Sequence, residues 1–260
     1  MPDKGLPKDE NVFIKPAVEG TLAILRAAHK FRVKRVVFTS SLSAVVMKNQ
    51  ENLKDVYDER DWSDLEACSA YDKSKTLAEK AAWDYLYSLP EEERFEFVSI
   101  NPVFILGPAL VPSDSSPTAI KMIMQGKIPF VPKVMLVLVD VRECALAHLR
   151  AIQVEEAKGK RFILGSSSLW IKEVATILKE AYPDYSIKNR EIGYCPVKLA
   201  SFFNDQVKLL LPVWRRVVRV DNSLSRTILG IEYREPGETL RAMADSLIDA
   251  GIVPDKRRAA

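Results

Sequence analysis

Ser41, Tyr71 and Lys75 are the residues of this sequence whose types and spacing could do chemistry. Ser41 closes the stretch Val36-Val37-Phe38-Thr39-Ser40, and Tyr71 and Lys75 stand four residues apart at the head of a helical stretch. Hydride arriving at a carbonyl carbon leaves charge on the oxygen, so a proton donor must be at hand or an alkoxide forms unaided. A tyrosine can give that proton, but its ordinary pKa of about 10 makes it slow to recycle near neutrality. A lysine one turn away on the same helix face brings a positive charge that favours the phenolate, and the expected effect is a lowered phenol pKa. A hydroxyl from a second element must steady the substrate oxygen. Ser41 stands where a parallel strand would end, the edge at which such sheets take their ligands.

The tyrosine–lysine spacing is weak by itself, because Tyr194 and Lys198 share it. Cys195 and Pro196 lie inside that second pair, so its residues are expected not to share a regular helical turn, and the pair is set aside as a decoy. His29 and His148 have no matched carboxylate spacing and read as structural. Asp140 and Arg142, in VDVREC, read as a local salt bridge that organises the fold. Glu91-Glu92-Glu93 and the basic apolar stretch from Trp214 to Arg219 read as solvated surface. Cys68, Cys144 and Cys195 are odd in number, far apart and outside any CxxC pair, so neither a disulfide framework nor a metal site is expected.

The elements that must position the three residues follow from periodicity. Val18, Leu22, Leu25 and Ala28 recur at helical spacing, and a basic link from Arg32 to Arg35 then meets a continuous apolar strand. Asp72 to Leu89 reads as a helix with Leu77, Ala81, Tyr85 and Leu86 inward, stopped by Pro90. Strands follow at Phe95 to Ile100, Met135 to Val139 and Arg161 to Leu164. Helices are expected at Val141 to Val154, with Ala145, His148, Leu149 and Ile152 on one side, and at Ile171 to Ala181. The tail is mainly helical, from Val197 to Leu211, Ser223 to Leu229 and Glu238 to Ala250, with Gly251 as a C-cap. Strands alternating with helices predict an α/β fold with a parallel, helix-covered sheet. At 260 residues, 47% hydrophobic and 28% charged, the chain has ordinary globular composition, and a formal charge of +3 with dispersed basic residues gives no footprint for nucleic acid or an anionic membrane. The first residues carry no apolar core of a secretory signal and no run approaches a membrane span, so a cytoplasmic protein is expected.

Five ordered blocks, FTSSLSAV, YDKSKTLAEKAAW, INPVFILGP, VDVRECALAH and VDNSLSRTILGIEYREPGETLR, resemble the extended short-chain dehydrogenase/reductases. The closer likeness is to the branch of dihydroflavonol reductases, cinnamoyl-CoA reductases and yeast-type aldehyde/ketone reductases. The resemblance implies a carbonyl-orienting hydroxyl at Ser41, a proton donor at Tyr71, and Lys75 as tuner of Tyr71 and partner of the nicotinamide ribose. It implies Thr39 and Ser40 on the cofactor floor and Pro102, Val103, Phe104 and Ile105 beside the nicotinamide. It further implies a Rossmann-like unit in residues 1–165 and a small, mainly helical substrate lobe in 166–260, partly interleaved with 108–140. Substrate choice would fall to the loop at 111–118 and the tail helices.

That family opens with a strand, a glycine-rich turn and a helix whose N-terminus takes the pyrophosphate. None of the ten glycines here forms GxGxxG or GxxGxxG. By resemblance the sequence starts after the family's fourth strand, so the expected sheet is partial and lacks its first βαβ half. The strand at Arg35 to Thr39 then becomes an exposed edge that another chain could pair with, and the polypeptide alone is expected to be aggregation-prone or partly folded. The leading expectation is an NADP-dependent reductase of a small aldehyde, ketone or acyl-CoA thioester, impaired by the missing cofactor-binding half, with NAD left open. Two alternatives stand beside it. One is a catalytically inactive, shortened isoform acting at most as an interaction module; the other is an NAD-dependent epimerase/dehydratase or hydroxysteroid dehydrogenase.

Overall fold

The computed structural model describes residues 9–109 and 116–257, apart from the side chains at positions 116, 117, 205 and 206. Most of the loop at 111–118 therefore lies outside the described residues. The chain runs α1 (Asn11–Lys30), β1 (Arg35–Thr39), α2 (Ala70–Ser88), β2 (Glu96–Pro102), β3 (Phe104–Leu106), α3 (Ser116–Met124), β4 (Met135–Asp140), α4 (Val141–Gln153), β5 (Arg161–Leu164), β6 (Ser167–Trp170) and α5 (Ile171–Ala181). Four further helices follow: α6 (Tyr194–Ala200), α7 (Asp205–Lys208), α8 (Ser223–Thr227) and α9 (Pro236–Asp249).

The strands form two sheets of three. One has the order β1-β2-β5 with every pair parallel; the other has the order β3-β4-β6, with β3 and β4 parallel and β6 antiparallel. The purely parallel sheet expected from the sequence is thus joined by a mixed one. Residues 104–140 supply two of its strands and residues 167–170 the third, so segments from both sides of position 165 interleave there.

β2 divides its side chains between two faces, as a strand must. Phe97 packs with Leu25, Trp83 and Phe38 beneath α1 and α2, while Val98 and Ile100 pack with Ala147 and Ala151 of α4 on the opposite face. Helices therefore cover both faces of the sheet. Ser99 and Asn101 continue the Phe97 row and are fully buried, so this face turns from aromatic to polar toward the carboxyl end of the strand. The sequence reading ends this strand before Asn101-Pro102, but Pro102 is paired opposite Leu164. The Ile100 carbonyl accepts from the Ser40 N–H at 2.7 Å. Pro102, two residues on, turns its backbone to that same side beyond the end of β1, where its missing N–H interrupts no ladder.

Two helices bury other faces than their hydrophobic residues suggest. On α2 the buried residues include Asp72, Ser74, Thr76, Glu79 and Trp83, while Leu77 and Ala81 are half-buried. On α4 the inward residues are Cys144, Ala147 and Ala151; Leu149 and Ile152 do share a side with His148, but they are 50% and 59% exposed. The long tail helix expected from Val197 is broken into α6 and α7. The stretch from Trp214 to Arg219 is not all solvated surface: Arg216 donates to the Val46 carbonyl and the Tyr57 hydroxyl, and Val218 packs on the core.

Two polar junctions fix α4. At its start Asp140 caps the helix by accepting from the Arg142 N–H at 2.9 Å, pairs with the Arg142 guanidinium at 2.7 Å, and accepts from Thr239 of α9 at 2.9 Å. Gly107 (φ +111°) passes so close that a Cβ there would meet the Asp140 carboxylate at 2.9 Å. At the other end of α4, Arg35 of β1 donates to the carbonyls of Ala151, Ile152 and Val154 at 3.0, 3.0 and 2.7 Å and to Glu96 at 2.6 Å. A cation suits the negative end of a helix dipole, so a residue that reads as part of a basic link is the clamp between β1 and α4. Among the described residues no helix is long and apolar enough to cross a membrane. Arg35→Met should lower stability by about 2–4 kcal/mol, since it strips several buried acceptors of a charged donor. Glu155→Ala, which removes the Arg35 partner that is 60% exposed, should cost under about 1 kcal/mol. Urea midpoints of the two variants check the difference.

Candidate active site

α2 begins in a capping box: the Ser69 hydroxyl accepts from the Asp72 N–H at 3.3 Å, and the Asp72 carboxylate accepts from the Ser69 N–H at 3.1 Å. The box starts the helix at Ala70, two residues earlier than the periodicity suggests, and sets Tyr71 in the first turn with Lys75 one turn on. β1 ends at Thr39, and the chain enters a short 3-10 turn at Leu42–Ala44, with Ser41 as its cap. The Ser41 hydroxyl accepts from the Ser43 N–H at 3.1 Å. The Ser43 carbonyl in turn accepts from Ser63 at 2.7 Å and from Thr76 of α2 at 3.4 Å.

These elements bring the three predicted residues together. The Ser41 hydroxyl stands close enough to the Tyr71 phenol to favour its phenolate, and the Lys75 ammonium stands 6.0 Å from the centroid of the Tyr71 ring. Tyr71 is 45% exposed, at the end of a parallel sheet where β1 and β2 terminate. Among the described residues the Lys75 ammonium makes no hydrogen bond or ion pair beyond that contact with the ring.

The electrostatics differ from the expectation drawn from spacing. Burial pushes the Tyr71 phenol above its ordinary value; the Ser41 hydrogen bond pulls it down without reversing the shift, and the Asp72 charge adds to the rise. Burial pulls the Lys75 ammonium below the usual lysine range. Burial thus outweighs any pull from the Lys75 ammonium 6.0 Å from the ring centroid, and it penalises both charged forms.

The remaining predicted residues separate. Thr39 and Ser40 fall on opposite faces of β1, as strand alternation requires. Thr39 is exposed at Oγ1, 2.8 Å from His148 Nε2; because His148 Nδ1 lies 2.8 Å from the Cys144 carbonyl, Nδ1 is the donor and Thr39 donates to Nε2 in the neutral ring. Ser40 is buried, and its hydroxyl donates inward to Glu79 at 2.5 Å, away from any cofactor floor. Pro102 and Val103 are buried beside Leu164, and Phe104 and Ile105 start β3 opposite Leu138 and Val139. Together they carry the chain from one sheet to the other. Asn101, just before them, donates to the Ser41 carbonyl at 3.2 Å.

Tyr194 and Lys198 do share a helix, since Pro196 sits in the first turn of α6, where a proline is tolerated. That tyrosine packs against Trp214. Sequence reasoning passed over Glu79 and Arg161, which join beneath Ser41. The legible sign was Glu79 one further turn along the Tyr71–Lys75 row and a lone arginine opening the apolar strand Arg161–Leu164. Two open clefts of about 520 and 490 Å³, one beside Phe130 and Lys188 and the other beside Gly165 and Glu235, include none of Ser41, Tyr71 and Lys75. Among the described residues no cluster of His, Cys, Asp and Glu is placed to hold a metal ion.

Comparison with known proteins shows the family. A family model described as the NAD dependent epimerase/dehydratase family matches residues 7–165. Cinnamoyl-CoA reductase 2 of Arabidopsis thaliana is 31% identical over 251 residues, covering 95% of this chain and 69% of that protein. A bifunctional dihydroflavonol 4-reductase/flavanone 4-reductase of Malus domestica is 36% identical over 194 residues, covering 71% of this chain and 54% of its own length. The chain thus spans between about half and two thirds of the length of these curated relatives. The crystal structure of yeast methylglyoxal/isovaleraldehyde reductase Gre2 complexed with NADPH superposes with a TM-score of 0.76 at 27% identity, over 96% of this chain and 75% of that one. The chain belongs to the NAD dependent epimerase/dehydratase family, in the cinnamoyl-CoA and dihydroflavonol reductase branch of the extended short-chain dehydrogenase/reductases.

Proposed function

We propose that this chain carries the proton-transfer side of an NADP-linked reductase site for a small aldehyde, ketone or acyl-CoA thioester. The observation that carries this reading is the meeting of Ser41, Tyr71 and Lys75, with the Lys75 ammonium 6.0 Å from the phenol ring centroid, at the carboxyl end of a parallel sheet. The residues present fit the nicotinamide end of a dinucleotide: Lys75 has an uncommitted ammonium for the ribose hydroxyls, and Thr39 presents its side chain to solvent at the end of β1. The sequence holds no glycine-rich turn for the phosphates. When bound, NADPH supplies the hydride; the choice of NADP over NAD is drawn from the reductase relatives and from the NADPH held by Gre2. Residues 1–165 would form the dinucleotide side, and 166–260 with the interleaved 108–140 the substrate side, a division supported by the separate β3-β4-β6 sheet. The three unpaired thiols fit a reducing compartment such as the cytoplasm.

In this reading Ser41 donates to the substrate oxygen, and Tyr71 gives that oxygen its proton. The raised phenol pKa suits reduction, because the donor stays protonated at neutral pH. As the proton leaves, the Lys75 ammonium stabilises the phenolate that forms. The open edge favours one further reading, an interaction module. Among the described strands β1 pairs with β2 alone, and Phe31, Val33, Leu149 and Ile152 lie exposed on the segments beside it. A strand from a second chain of this family would complete that edge.

NADPH binding followed by fluorescence, with a panel of carbonyl substrates, tests the reductase reading; no binding up to millimolar concentration overturns independent catalysis. Tyr71→Phe should reduce turnover by about 100-fold or more while leaving NADPH affinity within a few-fold. The pH dependence has a definite sign. Because the phenol lies above its ordinary 10.0, reduction should hold across neutral pH and fail only above that value, and the reverse oxidation should rise through the same limb. The ultraviolet difference spectrum of phenol ionisation, wild type against Tyr71→Phe, locates the limb independently. For the edge, the Val37 and Thr39 amides point away from β2, so hydrogen exchange should be fast at both in the isolated chain and slowed when a second chain pairs there.

A further inference from the structure

The row that carries Tyr71 and Lys75 continues one turn further to Glu79, which has no accessible surface. A carboxylate so placed is costly, and apolar side chains of similar volume would fill such a site at least as well. Here it is held by four donors: Arg161 Nε at 2.7 Å, Ser40 Oγ at 2.5 Å, Asn101 Nδ2 at 2.8 Å and Trp83 Nε1 at 3.4 Å. Burial penalises the charged form, but the Arg161 charge and the hydrogen bonds outweigh it and hold the Glu79 carboxyl below the usual range. Arg161 is itself fixed, donating to the carbonyls of Glu59 and Asp61 at 2.7 Å each and lying 3.9 Å from the centroid of the Trp62 ring.

Two of the four donors lead to the active site. Ser40 immediately precedes Ser41, and Asn101 turns its amide both to Glu79 and to the Ser41 carbonyl. The backbone of Ser41 is therefore tied to one buried carboxylate through both Ser40 and Asn101. We propose that Glu79, fixed by Arg161, is a positioning residue that aims the Ser41 hydroxyl at Tyr71. The proposal rests on the reading of Ser41, Tyr71 and Lys75 as the reductase site. Glu79 touches none of the reacting atoms; it acts through Ser40 and Asn101. A misplacement of about 1 Å at a catalytic group can cost on the order of 100-fold in rate, so such a tie is consequential without any contact to substrate.

Two variants separate positioning from packing. Glu79→Met with Arg161→Met replaces the pair by apolar side chains of similar size, a change that buried ion pairs commonly tolerate. Asn101→Leu leaves the Glu79–Arg161 ion pair whole and removes the Asn101 link between Glu79 and the Ser41 carbonyl, together with one donor to Glu79, and it decides the matter where the double variant fails to fold. The full chain is labelled with ¹³C at the tyrosine Cζ, and the Tyr71 resonance is assigned by its loss in Tyr71→Phe. In the folded variants Tyr71 should titrate at higher pH than in the wild type, because the Ser41 hydrogen bond favours the phenolate, while the other tyrosines keep their wild-type titration. Turnover of a carbonyl substrate should fall about 100-fold with the KM for NADPH within about twofold. Glu79→Gln, which keeps an acceptor oxygen, should recover part of both. A folded double variant or Asn101→Leu with wild-type Tyr71 titration overturns the proposal. If the wild-type chain reduces no carbonyl, the reductase reading falls separately, and the Tyr71 titration still decides whether Glu79 aims Ser41.

Discussion

The site depends on one buried charge that must be satisfied. Glu79 has no water to solvate it, so its oxygens must find donors within the fold, and they come from three strands and its own helix: Ser40 just past β1, Asn101 in β2, Arg161 in β5 and Trp83 in α2. That requirement fixes how the carboxyl ends of β1 and β2 and the start of β5 sit against α2. An apolar contact would tolerate small slides between these elements, whereas a hydrogen-bonded carboxylate tolerates few, since each lost donor leaves charge unpaired. The polar end of the β2 face, Ser99 and Asn101 following Phe97, is the sequence counterpart of this demand. The aromatic cluster around Phe97 and Trp83 binds α2 to the sheet, and the charge beyond it sets the register.

Above that floor the chemistry becomes a matter of which charged form the surroundings tolerate. Burial works against both the phenolate of Tyr71 and the ammonium of Lys75. A neutral phenol is a ready proton donor, and a proton donor is what carbonyl reduction asks for. The pull from a neighbouring lysine, which the spacing alone suggests should dominate, is outweighed by burial. Under the proposed function, the resting phenol stays neutral and the Lys75 charge limits the cost of the phenolate left when the proton departs.

Much of this was legible in the sequence where one physical effect dominates. β1 spans Arg35–Thr39 and β5 Arg161–Leu164, the bounds expected around their apolar runs, and α5 spans Ile171–Ala181 as its strong periodicity requires. Gly251 (φ +69°) follows α9 as expected, its N–H bonded to the Ile248 carbonyl. The reading failed where hydrophobicity and burial part company. α2 buries Glu79, Ser74 and Thr76 because each finds a partner, and a pattern of apolar residues cannot register satisfied polar ones. α4 shows the converse, with small Ala147 and Ala151 inward for close approach to the sheet and larger Leu149 and Ile152 outward. The family resemblance sets Ser40 beside Thr39 on one floor, although strand alternation places the two on opposite faces. For the candidate site, the meeting of Ser41, Tyr71 and Lys75 was legible from residue type and spacing, but the buried pair beneath it was not, since Arg161 lies 82 positions from Glu79.

The strand that delivers Ser41 lies at the edge of its sheet, which raises the question of what holds it in place without an outer neighbour. Its start is clamped by Arg35, which reaches the carbonyls at the end of α4 and Glu96 of β2. Its end is held by Ser40 through Glu79 and by the Ser40 N–H on the Ile100 carbonyl. Both fixings come from the covered side, so the direction of the Ser41 hydroxyl does not depend on what lies beyond β1. Dinucleotide affinity has a different origin, because phosphates are held by backbone N–H groups at a helix start beside the sheet rather than by the proton-transfer residues. A neighbour on the open side would therefore change how tightly a cofactor is held more than where the proton goes. The direction of Ser41 is thus set by interactions on the covered side of β1.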